Sequence, residues 1–266
     1  MWKWEIEGKA KGIVVILHDM LEHHEYYLDL ISKFNSEGYH ALIGDLPGHG
    51  QTTRINKGHV EDFKQYIDRL KEWVDDASFY ELPIIVVGQG LGGLIVTESL
   101  KEGELNIDGA VLLNPLYTFK QSFMNRKNLL KSSIRLTSDN SKFKLGIRMD
   151  SFTTDKKVLE QYKNDDLLIK EVSYHWYTAI NNRMNDIKDT MNEVNVPVLS
   201  IHSNENDIID VDRNVKILKE IDSDYLKLVR LNNIEHGIFQ RENVNVPFYH
   251  VKRFLEDLNY HIGFID

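Results

Sequence analysis

A glycine-rich turn separates a buried strand from a helix in the first half of the chain. It reads GQGLGG from Gly88 to Gly93; an apolar run rich in β-branched residues precedes it at 82–87, and helical apolar spacing follows at 94–100. Strand, tight turn and helix form the setting in which Gly-x-Ser-x-Gly exposes a strained serine hydroxyl for nucleophilic attack. The central position is Gly90, which has no side chain, and the amide of Gln89 is not a useful nucleophile. The pattern therefore predicts a site for nucleophilic catalysis that lacks its reacting hydroxyl.

A second group of residues suggests a metal site. His18, Glu22, His23 and His24 crowd one loop, but their spacing is not the His-Glu-x-x-His of a zinc-binding helix. The glycine turn also lacks Gly-x-Gly-x-x-Gly spacing, and no ribose-binding acid is evident after it, which disfavours a dinucleotide site. We expect neither a metal nor a cofactor.

Short apolar runs alternate with amphipathic patterns along the chain. The run Ile13 to Leu17 suits a strand buried on both faces of a parallel sheet, and further strands are predicted at 39–45, 109–115, 196–202 and 225–230. Helical patterns cover 27–34 and 63–74, and another closes the chain. Strands that alternate with helices predict an α/β fold, a mostly parallel sheet with helices on both faces.

Residues from about 116 to 190 break this alternation. We expect a helical cap insertion there, within a single domain that covers 1–266. Its first half is basic, with eight Lys or Arg residues from Phe119 to Arg148 against one acid, Asp139. A solvated helix face accounts for these charges. The sharper interpretation is a lid that makes peripheral contact with anionic lipid or binds a phosphate-bearing ligand.

Composition excludes several classes of function. The 266 residues carry a formal net charge of −9, which argues against nucleic-acid binding. Cysteine is absent, so disulfides, thiolate catalysis and cysteine-bound zinc are excluded. No run of 18 apolar residues exists, and the N-terminal residues do not resemble a signal peptide. These features predict a soluble cytoplasmic protein without an integral membrane segment.

Four segments in register resemble one group within the α/β-hydrolase superfamily, the monoacylglycerol-lipase-like and bacterial lysophospholipase-like hydrolases. His18 to His23 is similar to their His-Gly followed by a Glu-His pair, and Gly44 to Thr52 to their Asp-x-x-Gly-His-Gly-x-Ser loop. Gly88 to Gly93 resembles their Gly-His-Ser-Met-Gly-Gly, and Asn233 to Phe239 their His-Glu-Ile-Phe segment. The resemblance covers nearly the whole chain. It implies an α/β-hydrolase fold with a helical cap and a family of serine hydrolases that act on acyl glycerols, lysophospholipids or related esters.

The resemblance also assigns site roles. Gly90 takes the nucleophile position, His236 the position of the histidine that accepts its proton, and the backbone N–H groups of Met20 and Leu91 the oxyanion hole. His236 is interpreted either as a general base or as a retained structural residue.

Two further positions depart from the family pattern. The family register puts Asn206 in the position of the catalytic acid, with Asp207 as the alternative if the loop shifts by one residue. Asp19 replaces the family glycine beside the first oxyanion donor. A carboxylate that points inward there would oppose developing negative charge, and glycine can take backbone angles that are costly for Asp.

These departures favour a pseudoenzyme that has lost serine-hydrolase chemistry and binds a lipid or acyl ligand, or a protein partner. The competing hypothesis is an active carboxylic ester hydrolase, in which His236 and Asp207 activate a water that attacks beside Gly90. A third is an interaction scaffold with a collapsed pocket.

Overall fold

The computed structural model describes residues 1–103, 105–120, 141–187, 194, 196–220 and 225–261. The strands in these ranges, in chain order, are β1 (Trp2–Trp4), β2 (Gly12–Leu17), β3 (Tyr39–Ile43), β4 (Ile84–Gln89), β5 (Gly109–Leu113), β6 (Lys142–Phe143), β7 (Val172–Ser173), β8 (Val198–Ser203) and β9 (Leu226–Leu231). The α-helices are α1 (Leu28–Ser36), α2 (Lys64–Ser78), α3 (Leu91–Lys101), α4 (Lys156–Asn164), α5 (Tyr174–Asp186), α6 (Val211–Leu218) and α7 (Asn245–His261).

The main sheet has the strand order β1-β3-β2-β4-β5-β8-β9. Every neighbouring pair in it is parallel except β1 with β3, where Trp2 pairs with Ile43 and Trp4 with Ala41. This arrangement confirms the predicted fold class. The edge strand β1 was not predicted, because three residues are too few to show an alternating pattern.

Alternate residues of β2 pack into two separate hydrophobic cores. Ile13, Val15 and Leu17 pack into the cluster that contains the apolar faces of α2 and α3. Val14 and Ile16 pack into the cluster that contains those of α1 and α7. Because side chains alternate across a strand, each face of the sheet needs its own helical layer, and this explains why the central strands are continuous apolar runs.

The chain between β5 and β8 carries α4, α5 and the small antiparallel pair β6–β7. The described part of this segment is therefore not entirely helical, and the cap with its bounds at 116 and 190 stays a prediction. Most of the basic stretch lies at 121–140, outside the described residues, so its contact with anionic lipid also stays a prediction.

Among the described residues, no helix combines the length and the apolar character needed to cross a membrane. The cytoplasmic location stays a prediction of the sequence.

Candidate active site

The turn at Gly90 keeps the sharp geometry of a nucleophile-bearing elbow. It joins the end of β4 to the start of α3 with φ 50° and ψ −110°. Residues with a Cβ rarely adopt such angles, so glycine relieves the strain that a serine would carry here. The Gly90 N–H donates to the Leu113 carbonyl at 2.9 Å, and its own carbonyl accepts from Leu94 and Leu116. The elbow is thus preserved as backbone and has no nucleophile.

The side chain of Asp19 points into the site and takes both predicted oxyanion donors. Its Oδ1 accepts from the backbone N–H of Met20 at 2.6 Å and of Leu91 at 2.9 Å. Its Oδ2 lies 2.9 Å from Nε2 of His236, and both side chains are fully buried. The donors that an ester carbonyl would need are therefore bonded to an internal carboxylate.

The sequence also raised the expectation of strained backbone at Asp19. That expectation is wrong, because the φ angle of Asp19 is not positive. Among the described non-glycine residues, positive φ values occur at Glu81, Asn114 and Asn233. The carboxylate is accommodated instead by the missing side chain at Gly90. A Cβ built on Gly90 would collide with the Asp19 carboxylate.

His236 is held on its far side by Asn206. The Oδ1 of Asn206 accepts from the backbone N–H of Ile208 at 2.9 Å and of Ile209 at 3.0 Å, which turns its Nδ2 toward Nδ1 of His236 at 3.0 Å. Asn206 Oδ1 also lies 3.2 Å from the same ring nitrogen. An amide fills the position that the family resemblance gives to the acid, and it carries no charge to stabilise an imidazolium.

The contacts of His236 determine where its proton lies. A carboxylate only accepts hydrogen bonds, so Nε2 of His236 must donate to Asp19. This holds for a neutral ring that accepts from Asn206 at Nδ1 and for a charged ring that donates there. A general base in this geometry needs a free lone pair on Nε2, and the contact with Asp19 removes it.

Asp207 lies away from the site. Its side chain is 72% exposed and pairs with Lys120 at 3.2 Å across the surface. The structure therefore brings Asn206, and not Asp207, against His236.

Gln89 is a site residue whose structural role the sequence did not reveal. Its Nε2 donates to the backbone carbonyl of His236 at 2.8 Å, and Nδ2 of Asn114 donates to the same oxygen at 2.8 Å. The two amides fix the loop that carries the histidine. The position next to Gly90 gave a signal only for the turn and none for this contact, which spans 147 positions.

A second buried carboxyl lies behind Asp19. Glu22 accepts from Tyr27 at 2.8 Å and from Tyr162 of α4 at 2.6 Å, and Tyr27 in turn accepts the backbone N–H of Asp19 at 3.1 Å. Burial, and then the negative charge of Asp19, raise the pKa of Glu22 to about 8. The resemblance located Glu22 in a motif, but no sequence signal paired it with a tyrosine 140 positions away.

The histidines of the loop after β2 make two separate sets of contacts. His18 accepts the backbone N–H of Leu46 at Nε2, and burial lowers its pKa to about 3, so it stays neutral. His23, His24 and Asp45 bring ligand atoms within 4.8 Å of one another, a spacing that could hold a metal ion. Those atoms are used within the protein, because His24 bonds Asp45 at 2.8 Å and His23 bonds Asp165 at 2.6 Å.

A cavity of about 430 Å³ lies between the Leu21 loop and the segment that follows β5. Leu21 is one of its walls and directly follows the donor Met20. Tyr162, the partner of Glu22, is another. The cavity thus adjoins the loop that carries Asp19.

Comparison with known proteins matches most of this chain to one family. The family model described as serine aminopeptidase, S33, matches residues 8–243. Phospholipase YtpA of Bacillus subtilis (strain 168) is 29% identical over 249 residues, which cover 92% of this chain and 95% of that protein. Monoglyceride lipase of Homo sapiens is 21% identical, over 90% of this chain and 79% of that protein.

Solved structures share the fold. A soluble variant of monoglyceride lipase from Saccharomyces cerevisiae, in complex with a substrate analog, superposes with a TM-score of 0.86 at 19% identity, covering 96% of this chain and 90% of that one. Monoacylglycerol lipase of Paleococcus ferrophilus gives a TM-score of 0.83 at 18% identity and covers 98% of each chain. These likenesses establish the α/β-hydrolase architecture.

Proposed function

Since this chain belongs to the serine aminopeptidase S33 family, we propose that it is a member without serine-hydrolase activity that acts by binding a lipid or acyl ligand. One observation carries the proposal. The Asp19 carboxylate accepts from Met20, Leu91 and His236 in the space beside Gly90. The nucleophile is absent, and the groups that would assist it are bonded to a residue of the protein itself.

The expected loss of catalytic rate follows from the chemistry of acyl transfer. Removing a triad member from a serine hydrolase leaves only about 10³–10⁴-fold catalysis over water, which comes from the oxyanion hole and substrate binding. Here the oxyanion donors are also taken, and a carboxylate beside them opposes the negative charge that develops on a carbonyl oxygen. The contribution of the oxyanion hole to residual catalysis is therefore reduced as well, whereas ligand binding is unaffected by these contacts.

The ligand part of the proposal is supported by the cavity beside Leu21, whose volume of about 430 Å³ lies within the usual range for small-molecule sites. Relatives of this chain are named as a phospholipase and as monoglyceride lipases. A lipid or acyl compound is therefore the ligand class to test first. If no acyl compound binds, a protein partner becomes the ligand to test next.

An active ester hydrolase that uses His236, Asp207 and a water is the alternative. Within the part of the chain that the structure describes, no contact favours it, because Asp207 pairs with Lys120 at the surface and Nε2 of His236 donates to Asp19. A scaffold with a collapsed pocket is disfavoured by the open volume beside Leu21.

Two assays test the loss of chemistry, and calorimetric titration with acyl compounds tests ligand binding. The folded protein is incubated with a fluorophosphonate probe, with an active serine hydrolase as positive control, and we expect no labelling. Turnover of p-nitrophenyl butyrate is then compared with that of His236→Ala, and we expect both at the background rate. Stoichiometric labelling of a serine, or turnover that His236→Ala abolishes, would overturn the loss of chemistry. Failure of every acyl compound to bind would overturn the ligand-binding part.

A further inference from the structure

We propose that the ligand is a single-chain amphiphile with an anionic headgroup, held with its tail in the cavity beside Leu21 and its headgroup among lysines that line the same cavity. This inference rests on the proposed function and names the ligand class. It also reverses the orientation that hydrolysis would require, in which the polar end of the substrate must reach the elbow.

The walls of the cavity fit an acyl chain. Six of its lining residues are aliphatic: Leu21, Leu145, Ile147, Leu168, Ile169 and Val172. Five of them, all except Ile147, are buried. Burying an alkyl chain against such a surface is favourable because it removes apolar area from water.

The charges that line the cavity are mostly positive. Lys144, Lys163 and Lys170 line it, against one acid, Glu171, although the chain as a whole carries a charge of −9. All three lysines are exposed, so a headgroup can reach them from solvent. Their local pairs are exposed ones, Lys163 with Glu160 at 3.1 Å and Lys170 with Asp166 at 3.5 Å, and such pairs exchange readily for a ligand anion. Within the described residues, Lys144 has no ion-pair partner.

The side of the cavity toward the elbow disfavours an anion. Tyr162 lines it there, and the hydroxyl of Tyr162 already donates to Glu22. Behind Glu22 lies the carboxylate of Asp19, which occupies both backbone donors of the elbow. On that side a negative headgroup would approach the Asp19 carboxylate, and the Tyr162 hydroxyl and both backbone N–H groups are already bonded, whereas the lysines offer complementary charge. The lysines and the Asp19 carboxylate therefore favour the same orientation of the ligand.

The test compares amphiphiles that share one tail. Laurate, dodecyl phosphate, dodecanol and dodecyltrimethylammonium are titrated into the protein by calorimetry, the charged compounds below their micelle concentrations and dodecanol below its solubility limit. We expect one of the two anions to bind at least tenfold more tightly than dodecanol, and the cation to bind more weakly still. The stronger of the two anions identifies the headgroup as carboxylate or phosphate. Anion affinity should also fall when salt is raised from 50 to 500 mM, because salt screens exposed charges.

A triple variant, Lys144→Ala, Lys163→Ala and Lys170→Ala, should lose at least tenfold in anion affinity and keep its dodecanol affinity. A matched triple variant, Lys64→Ala, Lys71→Ala and Lys216→Ala, removes the same charge away from the cavity and should behave as wild type. Equal affinities of anions and dodecanol, or an unchanged anion affinity in the first variant, would overturn this inference alone. Absence of binding by all four compounds would overturn the ligand-binding part of the proposed function, and fluorophosphonate labelling would overturn only the loss of chemistry.

Discussion

The carboxylate of Asp19 fills the space that a side chain on Gly90 would need. The same oxygen that accepts from Met20 and Leu91 lies where a Cβ would be built. The two positions are therefore coupled: a serine at 90 requires Asp19 to move, and this placement of Asp19 requires a glycine at 90. Two departures from the family pattern, 71 positions apart in the chain, act as one structural unit.

This coupling predicts that Gly90→Ser alone does not restore hydrolysis. The new side chain would collide with Asp19, and Nε2 of His236 would still be donating to the carboxylate. The combined variant Asp19→Gly, Gly90→Ser and Asn206→Asp frees the oxyanion donors and supplies a hydroxyl and a charged partner for His236. We expect it to gain fluorophosphonate labelling and p-nitrophenyl butyrate turnover that the single variant lacks.

Two intermediate variants isolate the coupling. Gly90→Ser with Asp19→Gly should label more than Gly90→Ser with Asn206→Asp, because only the first pair removes the collision. If Gly90→Ser alone is labelled at the rate of the triple variant, then Asp19 and Gly90 are not coupled.

A second prediction concerns the three donors that converge on Asp19. Asp19→Gly leaves the N–H groups of Met20 and Leu91 and Nε2 of His236 without a partner, and we expect a loss of about 2–4 kcal/mol in the free energy of unfolding. The deleted atoms have the size and charge of acetate. Acetate should therefore bind and restore part of the loss, since a ligand of the folded state stabilises it by mass action.

Urea unfolding in sodium acetate, against sodium chloride of equal ionic strength, measures this rescue. Wild type is the control, and its unfolding free energy should respond equally to the two salts because its own carboxylate is in place. An identical response of Asp19→Gly to acetate and chloride would show that the donors do not form a carboxylate site.

The features of the fold and the site that depend on residues close together in the chain were predictable from the sequence. The strands and the elbow are local patterns, and the apolar runs at 13–17 and 82–87 overlap β2 and β4 closely. The position of Asn206 beside His236 agrees with the register of the family resemblance, because the acid and histidine loops follow strands β8 and β9, which are neighbours.

Other features of the site depend on side-chain direction and long-range contacts. The sequence identified Asp19 as unusual and stated what an inward carboxylate would do, but its rotamer depends on the space left by Gly90. The pairing of Glu22 with Tyr162 joins the first loop to a helix in the segment after β5, and no periodicity reports such a contact.

Asn206 and Asp207, which are neighbours in the loop after β8, provide a third prediction. Asn206→Ala removes the acceptor of two backbone N–H groups and the partner of His236, all buried, so we expect a loss of about 2–4 kcal/mol in unfolding free energy. Asp207→Ala removes an exposed side chain and should change it by less than about 0.5 kcal/mol. Chemical denaturation of both variants checks the difference. The reverse order of effects would mean that the loop is shifted by one residue.

The raised pKa of Glu22 provides the fourth prediction, on pH dependence. The ordinary value of 4.5 applies to the unfolded chain, whereas burial and the charge of Asp19 raise the folded pKa to about 8. Between these values the folded protein keeps a proton that the unfolded chain has released. The contribution of Glu22 to stability is therefore fully present below about pH 4.5 and is lost as pH rises toward 8, with a slope that approaches about 1.4 kcal/mol per pH unit.

Glu22→Gln removes this titration and keeps a neutral group of the same shape. We expect the unfolding free energy of wild type to fall more steeply between pH 5 and 8 than that of the variant, measured by urea denaturation at each pH. Subtracting the two curves cancels other groups, such as His18, whose pKa is lowered to about 3 and whose effect has the opposite sign below pH 6.5. Glu25→Gln, which neutralises an exposed acid three positions away, should leave the slope of wild type unchanged. Parallel curves for wild type and Glu22→Gln would mean that Glu22 is ionised in the folded protein at neutral pH, and that the buried site holds two negative charges side by side.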